Sequence, residues 1–116
     1  IPDLVAAMEA LSLEAGLPVV VFGHAGNGNL HVNIMYDDGD AAETARAHAA
    51  LPKIFAHVLA LGGTLSGEHG IGLSKRDFMA DAFNVATLDA MRAVKAALDP
   101  DDILNPGKVL PPRKPL

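Results

Sequence analysis

Two runs suited to β-strands, Pro18–Phe22 and Leu30–Tyr36, are joined through the glycine- and asparagine-rich stretch AGNGN, and no other feature of the chain restricts its folding as much. A short β-branched run, a permissive turn and an alternating run make the pattern of an antiparallel hairpin. Side chains alternate across a strand, so the length of the turn decides which residues share a face. With a turn spanning Ala25 to Leu30, His24 and His31 sit opposite each other on one face, and Asn33 joins them there. A turn one residue shorter sends the two histidines to opposite faces.

Helical patterns surround this hairpin. Asp3 to Ala15 carries Leu4, Val5, Met8, Leu11 and Leu13, and Gly16 with Pro18 stops it. Asp40 followed by Glu43 reads as a capping box for a helix whose apolar face is Leu51, Ile54, Phe55, Val58 and Leu59. Pro52 inside that helix predicts a kink or a restart near Leu51. Thr64–Ser66 reads as a short strand, Ser74–Ala80 as a short helix and Ala86–Leu98 as a longer one with Leu88, Met91, Val94 or Lys95, and Leu98 on one side. The order fits an α+β fold, a small antiparallel sheet with helices on one face. So thin a sheet suggests that partner strands are missing, and the start on Ile1-Pro2 without methionine reads as a beginning partway through something longer. The proline- and glycine-rich end from Ile103 onward reads as an extended tail that needs a surface to lie on.

Composition narrows the function classes. The chain has 116 residues, a formal charge of −5 and only 9 Lys and Arg. Lys75-Arg76 and Arg113-Lys114 are too sparse for a nucleic-acid groove. There is no cysteine, so any metal must take nitrogen and oxygen ligands. No apolar run approaches the roughly eighteen residues of a membrane span, and a cytoplasmic protein is expected, with peripheral membrane association left open.

A second glycine-rich loop, Gly67-Glu68-His69-Gly70-Ile71-Gly72, supplies the remaining polar chemistry. Two histidines and one carboxylate can hold a divalent ion and leave positions free for a substrate. His24, His31 and Glu68 are the expected metal ligands, with His69 as general base and Asn33 hydrogen-bonding beside the ion. Adjacent Glu68 and His69 would point apart in a strand, and the flanking glycines allow both to face inward. The plainer reading is that glycine-rich turns merely turn the chain and that their histidines lie at the surface. His48 and His57, on or beside the polar side of a helix, are given that reading. GHAGNG does not match a dinucleotide fingerprint and leads into a strand, so a phosphate cradle is not expected.

GHAGNGNLHVN, SGEHGIG and the ending DPDDILNPGKVL, in that order, resemble the C-terminal part of the FAD-linked oxidases acting on 2-hydroxy acids. This vanillyl-alcohol-oxidase-like group includes the glycolate oxidase flavin subunit, D-lactate dehydrogenase and D-2-hydroxyglutarate dehydrogenase. The resemblance implies an incomplete ferredoxin-like substrate (cap) domain over residues 1–100 and a tail, 101–116, returning to an FAD domain that lies mainly outside this chain. It implies that His24, His31 and Glu68 hold a divalent metal, usually zinc. It implies that His69 takes the substrate's hydroxyl proton, that Asn33 contacts substrate and that Asn105 touches FAD. Oxidation of a D-2-hydroxy acid of lactate or glycolate type to the 2-oxo acid follows, with hydride passing to the flavin and then to an electron acceptor. Asn27 departs from the Asp common in the family's turn, which removes a negative charge near the ion without harming the turn.

Two other functions remain open on the residues: a free-standing metal-dependent module that binds small hydroxy acids without catalysis, and a hydrolase with His69 acting on metal-bound water. By itself the chain is expected to be inactive and to self-associate through its exposed sheet edges.

Overall fold

The computed structural model describes residues 1–112. Arg113 and Lys114, with the last two residues of the expected tail, lie outside the described residues. Among the described residues are helices α1 (Pro2–Ala15), α2 (Ala41–Ala60), α3 (Met79–Ala82) and α4 (Val85–Leu98), and strands β1 (Val19–His24) and β2 (Asn29–Ile34) paired antiparallel. The class is α+β, as the pattern implied. No helix among the described residues is long and apolar enough to cross a membrane. The chain divides into two compact units, the first ending at Glu68 and the second beginning at His69.

In the first unit, Pro2 occupies the first turn of α1, where its missing N–H costs nothing. Gly16 ends the helix in the left-handed region, with φ 62°. Met8 and Leu11 of α1 meet Ala50 and Ile54 of α2, and Val19, Val21, Val32 and Ile34 pack against that cluster. Both helices therefore cover the same face of the hairpin. Leu13, expected on the α1 stripe, is 86% exposed, because two residues beyond Leu11 is more than half a turn around the helix.

Asp40 caps α2 by accepting from the N–H groups of Ala42 and Glu43 at 2.7 and 3.1 Å, and these bonds hold its carboxyl below the usual carboxylate range. Glu43 does not close the box on Asp40; its Oε2 accepts from the N–H of Asp37 at 2.9 Å. The helix runs through Pro52 without the expected restart. The lost hydrogen bond and the clash of the ring with the carbonyl four residues back together cost about 3 kcal/mol. Burial of Ile54 alone returns about 1.5–3 kcal/mol, and Ala47 and Ala50 are buried ahead of the proline, so packing holds both halves in line.

Thr64–Ser66 is not a strand: Leu65 is buried and the segment is irregular. With both strands of the unit paired to each other, no ladder extends it.

The second unit is built on Met79 and Leu88, both buried. The expected helix at 74–80 is instead a 3-10 turn, Arg76–Phe78, leading into the one-turn α3. Asn84 caps α4 by accepting from the Thr87 N–H at 2.9 Å. Val94 and Leu98 of the expected α4 stripe are largely exposed, leaving Leu88 as its buried residue. The tail lies on this unit: Lys95 Nζ donates to the Leu104 carbonyl at 2.7 Å, Arg76 to Gly107 at 3.0 Å and Arg92 to Pro111 at 2.9 Å. Buried Asp99 accepts from the N–H groups of Ile103 and Leu104 and from Lys95, and so ties the helix end to the tail.

Candidate metal centre

The register pairs Val20 with Asn33, Phe22 with His31 and His24 with Asn29. These six residues share the face turned away from α1 and α2. The turn spans the four residues Ala25 to Gly28, not the expected six. It consists of a 3-10 turn and Gly28 in the left-handed region at φ 72°. Shortening by an even number keeps the parity, so His24 and His31 still share a face, now as diagonal neighbours. Their rings meet edge-on at 6.2 Å between centroids. The Asn27 side chain accepts from the N–H of Asn29 at 3.3 Å, a closure that Asp would make equally well.

Phe22 stacks on His31 at 5.0 Å and 26°, which sets the plane of the imidazole. Glu68 reaches the same ring: its Oε1 lies 2.9 Å from His31 Nε2. One ligand atom from each of His24, His31 and Glu68 lies within 4.8 Å of the others. Two donors at ~2.0–2.2 Å from one ion span at most ~4.4 Å. Small rotations of exposed His24 and Glu68 close the difference. The donor set contains nitrogen and oxygen only, as suits a borderline divalent ion, and three protein donors leave positions open. The His31 and Glu68 side chains are 22% and 43% exposed, so a small ligand can reach such an ion from solvent.

Asn33 lies on the same strand face, two residues beyond His31, and is exposed. His69 is the first residue of the second unit and is exposed. Asn105, also in the second unit, is exposed with φ 49°, a left-handed conformation that Asn accepts more readily than most residues. The residue-based reading missed Phe22 and Asn29, and it read Gly67 as freedom for the loop backbone, not as room for a neighbouring side chain. Parity alone places Phe22 and Asn29 beside the histidines once the turn length is known. Gly67 shows its role only in three dimensions.

Residues 1–109 match the family model described as "FAD linked oxidases, C-terminal domain". The glycolate oxidase subunit GlcD of Bacillus subtilis is 39% identical over 109 residues, covering 94% of this chain and 23% of that protein. A probable mitochondrial D-lactate dehydrogenase of Danio rerio is 36% identical over 110 residues, 95% of this chain and 22% of the relative. The mitochondrial D-2-hydroxyglutarate dehydrogenase of Bos taurus is 38% identical over 109 residues, 94% and 20% respectively. The chain thus spans less than a quarter of the length of these relatives. The match of residues 1–109 to the family model, with relatives 36–39% identical along nearly the whole of this chain, makes it a member of the FAD-linked oxidase C-terminal domain family.

Proposed function

We propose that the chain is the C-terminal part of an FAD-dependent dehydrogenase of D-2-hydroxy acids, comprising part of a ferredoxin-like substrate domain (1–100) and a segment returning to the flavin domain (101–116). The observation that carries this reading is the convergence of His24, His31 and Glu68 within a chain of this family. The relatives are named for glycolate, D-lactate and D-2-hydroxyglutarate, which share a carboxylate with a hydroxyl on the neighbouring carbon.

In the complete protein, FAD would supply a hydride acceptor and a divalent ion, such as zinc, would supply Lewis acidity. His24, His31 and Glu68 would hold the ion with positions free for the substrate's carboxylate and hydroxyl oxygens. His69 takes the hydroxyl proton as hydride leaves the adjacent carbon, so the alcohol loses two electrons and two hydrogens and becomes the 2-oxo acid. Asn33, on the strand face of the two histidines, orients the substrate by hydrogen bonding, and Asn105 contacts the flavin. We place the protein in the cytoplasm and expect the chain on its own to self-associate through the open edges of its two-stranded sheet.

The test is elemental analysis and flavin absorbance on the full-length protein, with dye reduction by glycolate and D-lactate. A stoichiometric divalent metal and substrate-dependent bleaching of the flavin are expected. Full flavin occupancy with no turnover of any 2-hydroxy acid overturns the proposal.

A further inference from the structure

Glu68 belongs to a segment, Thr64–Glu68, with neither helical nor strand hydrogen bonding, so something other than a ladder must hold its carboxylate against the hairpin. The segment itself is ordered by three features, of which the last reaches the hairpin. Leu65 is buried, the Thr64 hydroxyl donates to the Ser66 carbonyl at 3.0 Å, and Gly67 lies directly against the side chain of Asn29. A β-carbon on Gly67 would stand 2.2 Å from Asn29 Oδ1, 2.7 Å from its Cγ and 3.3 Å from its Nδ2. All three atoms belong to the Asn29 side-chain amide, so a β-carbon here would swing that side chain out of its place.

Gly67 is absent from the residues with positive φ, so its backbone is one that any L-residue adopts. Glycine is needed here for space alone. Asn29 is in turn fixed at the start of β2, opposite His24. Its carbonyl oxygen lies where a β-carbon on Gly23 would come to 2.2 Å, and Gly23 at φ 155° is in a region closed to most side chains. Asn29 therefore sits between two glycines, its backbone against one and its amide against the other. The next residue after the second glycine is the one whose carboxylate meets His31.

We propose that the Asn29 side chain and the bare α-carbon of Gly67 form a seat that positions Glu68 for cation binding. This rests on the reading of His24, His31 and Glu68 as a metal centre. Asn29 is a positioning residue: it acts through Glu68 and supplies no donor to the ion. Outer groups that orient metal ligands change affinity about 10–100-fold when altered.

The test is titration of the full-length protein with Co²⁺ as the probe, read by its visible d–d bands and by dissociation constant. Gly67→Ala is expected to weaken Co²⁺ binding at least about tenfold and to alter the bands. Asn29→Ala is expected to weaken it several-fold, since the arm loses its support. The double variant is expected to bind like Asn29→Ala, because the three nearest atoms that the added methyl would meet are then gone; a structural lesion at Gly67 would not be rescued this way. Wild-type affinity and bands in Gly67→Ala, or a double variant no better than Gly67→Ala, overturns the seat. Should Gly67→Ala not fold, Asn29→Ala decides, and unchanged binding there overturns it as well. His31→Ala separates the two ideas: binding unaffected by that change removes the metal reading itself, whereas loss of binding in His31→Ala beside wild-type binding in Gly67→Ala removes only the seat.

Discussion

His31 Nε2 and Glu68 Oε1 stand 2.9 Å apart, joining a strand residue to an irregular segment. Metal ligands bind a cation in their deprotonated forms, so zinc uptake by the full-length protein is expected to weaken as the pH falls. Replacing His31 by Ala removes a proposed ligand and also the ring on which Phe22 stacks. Metal content by elemental analysis should fall to background in His31→Ala while the circular dichroism spectrum stays unchanged. Retention of a full equivalent of metal would exclude His31 as a ligand.

Under the proposed function His69 transfers a proton and does not bind the ion, so its replacement should separate binding from turnover. In the full-length protein, His69→Gln is expected to keep its metal and lose turnover by roughly 10²–10⁴-fold, the range for a positioned acid or base. The ratio of metal to protein, measured beside the rate of flavin reduction, checks this. Loss of metal in the variant would reassign His69 to the ligand set.

The hairpin and the shared face of His24 and His31 were legible because strand alternation depends only on parity, and a turn of four residues has the parity of one of six. Glu68 was legible as a donor type, but its approach to His31 was not. That approach depends on Gly67 fitting against Asn29, a contact between distant parts of the chain that no periodicity records. The second unit was the least legible. Its tail is held by Arg76, Arg92 and Lys95 donating to backbone carbonyls, and a carbonyl acceptor leaves no mark on residue type. Likewise Asp99 reads as a helix-ending residue beside Pro100, yet it is buried and binds two N–H groups of the tail.

Asp99 and Lys95 predict a pH dependence for that tail. The Lys95 hydrogen bond, helped by the Leu104 and Ile103 N–H groups, holds the Asp99 carboxyl below its ordinary 3.8 against the opposing effect of burial. The Asp99 hydrogen bond in turn raises Lys95 above 10.5. An unfolded chain therefore binds more protons than the folded one just below pH 3.8, and the contribution of Asp99 is complete above that value and lost as pH falls through the lower folded pKa. The contribution of Lys95 is complete below 10.5 and lost as pH rises through its higher folded value. Hydrogen exchange at the Ile103 and Leu104 amides, corrected for intrinsic rates, should show protection that drops on the acid side. In Lys95→Met that acid limb should shift upward in pH. An unshifted limb would mean that the backbone N–H groups alone set the carboxyl.

Pro52 offers the remaining test, on how packing overrides local preference in α2. The residue is exposed, and its ring nitrogen cannot donate to the carbonyl of His48. The helix nonetheless continues because Ala47, Ala50 and Ile54 are buried on both sides of it. Proline inside a helix costs about 3 kcal/mol relative to alanine. Pro52→Ala should therefore stabilise the protein by about 2–3 kcal/mol, seen as a higher urea midpoint at unchanged slope. The gain should leave Co²⁺ affinity unchanged, since Pro52 lies in α2 and the histidines lie on the sheet face turned away from α1 and α2. A lower midpoint would show that the proline ring contributes packing that exceeds the missing hydrogen bond.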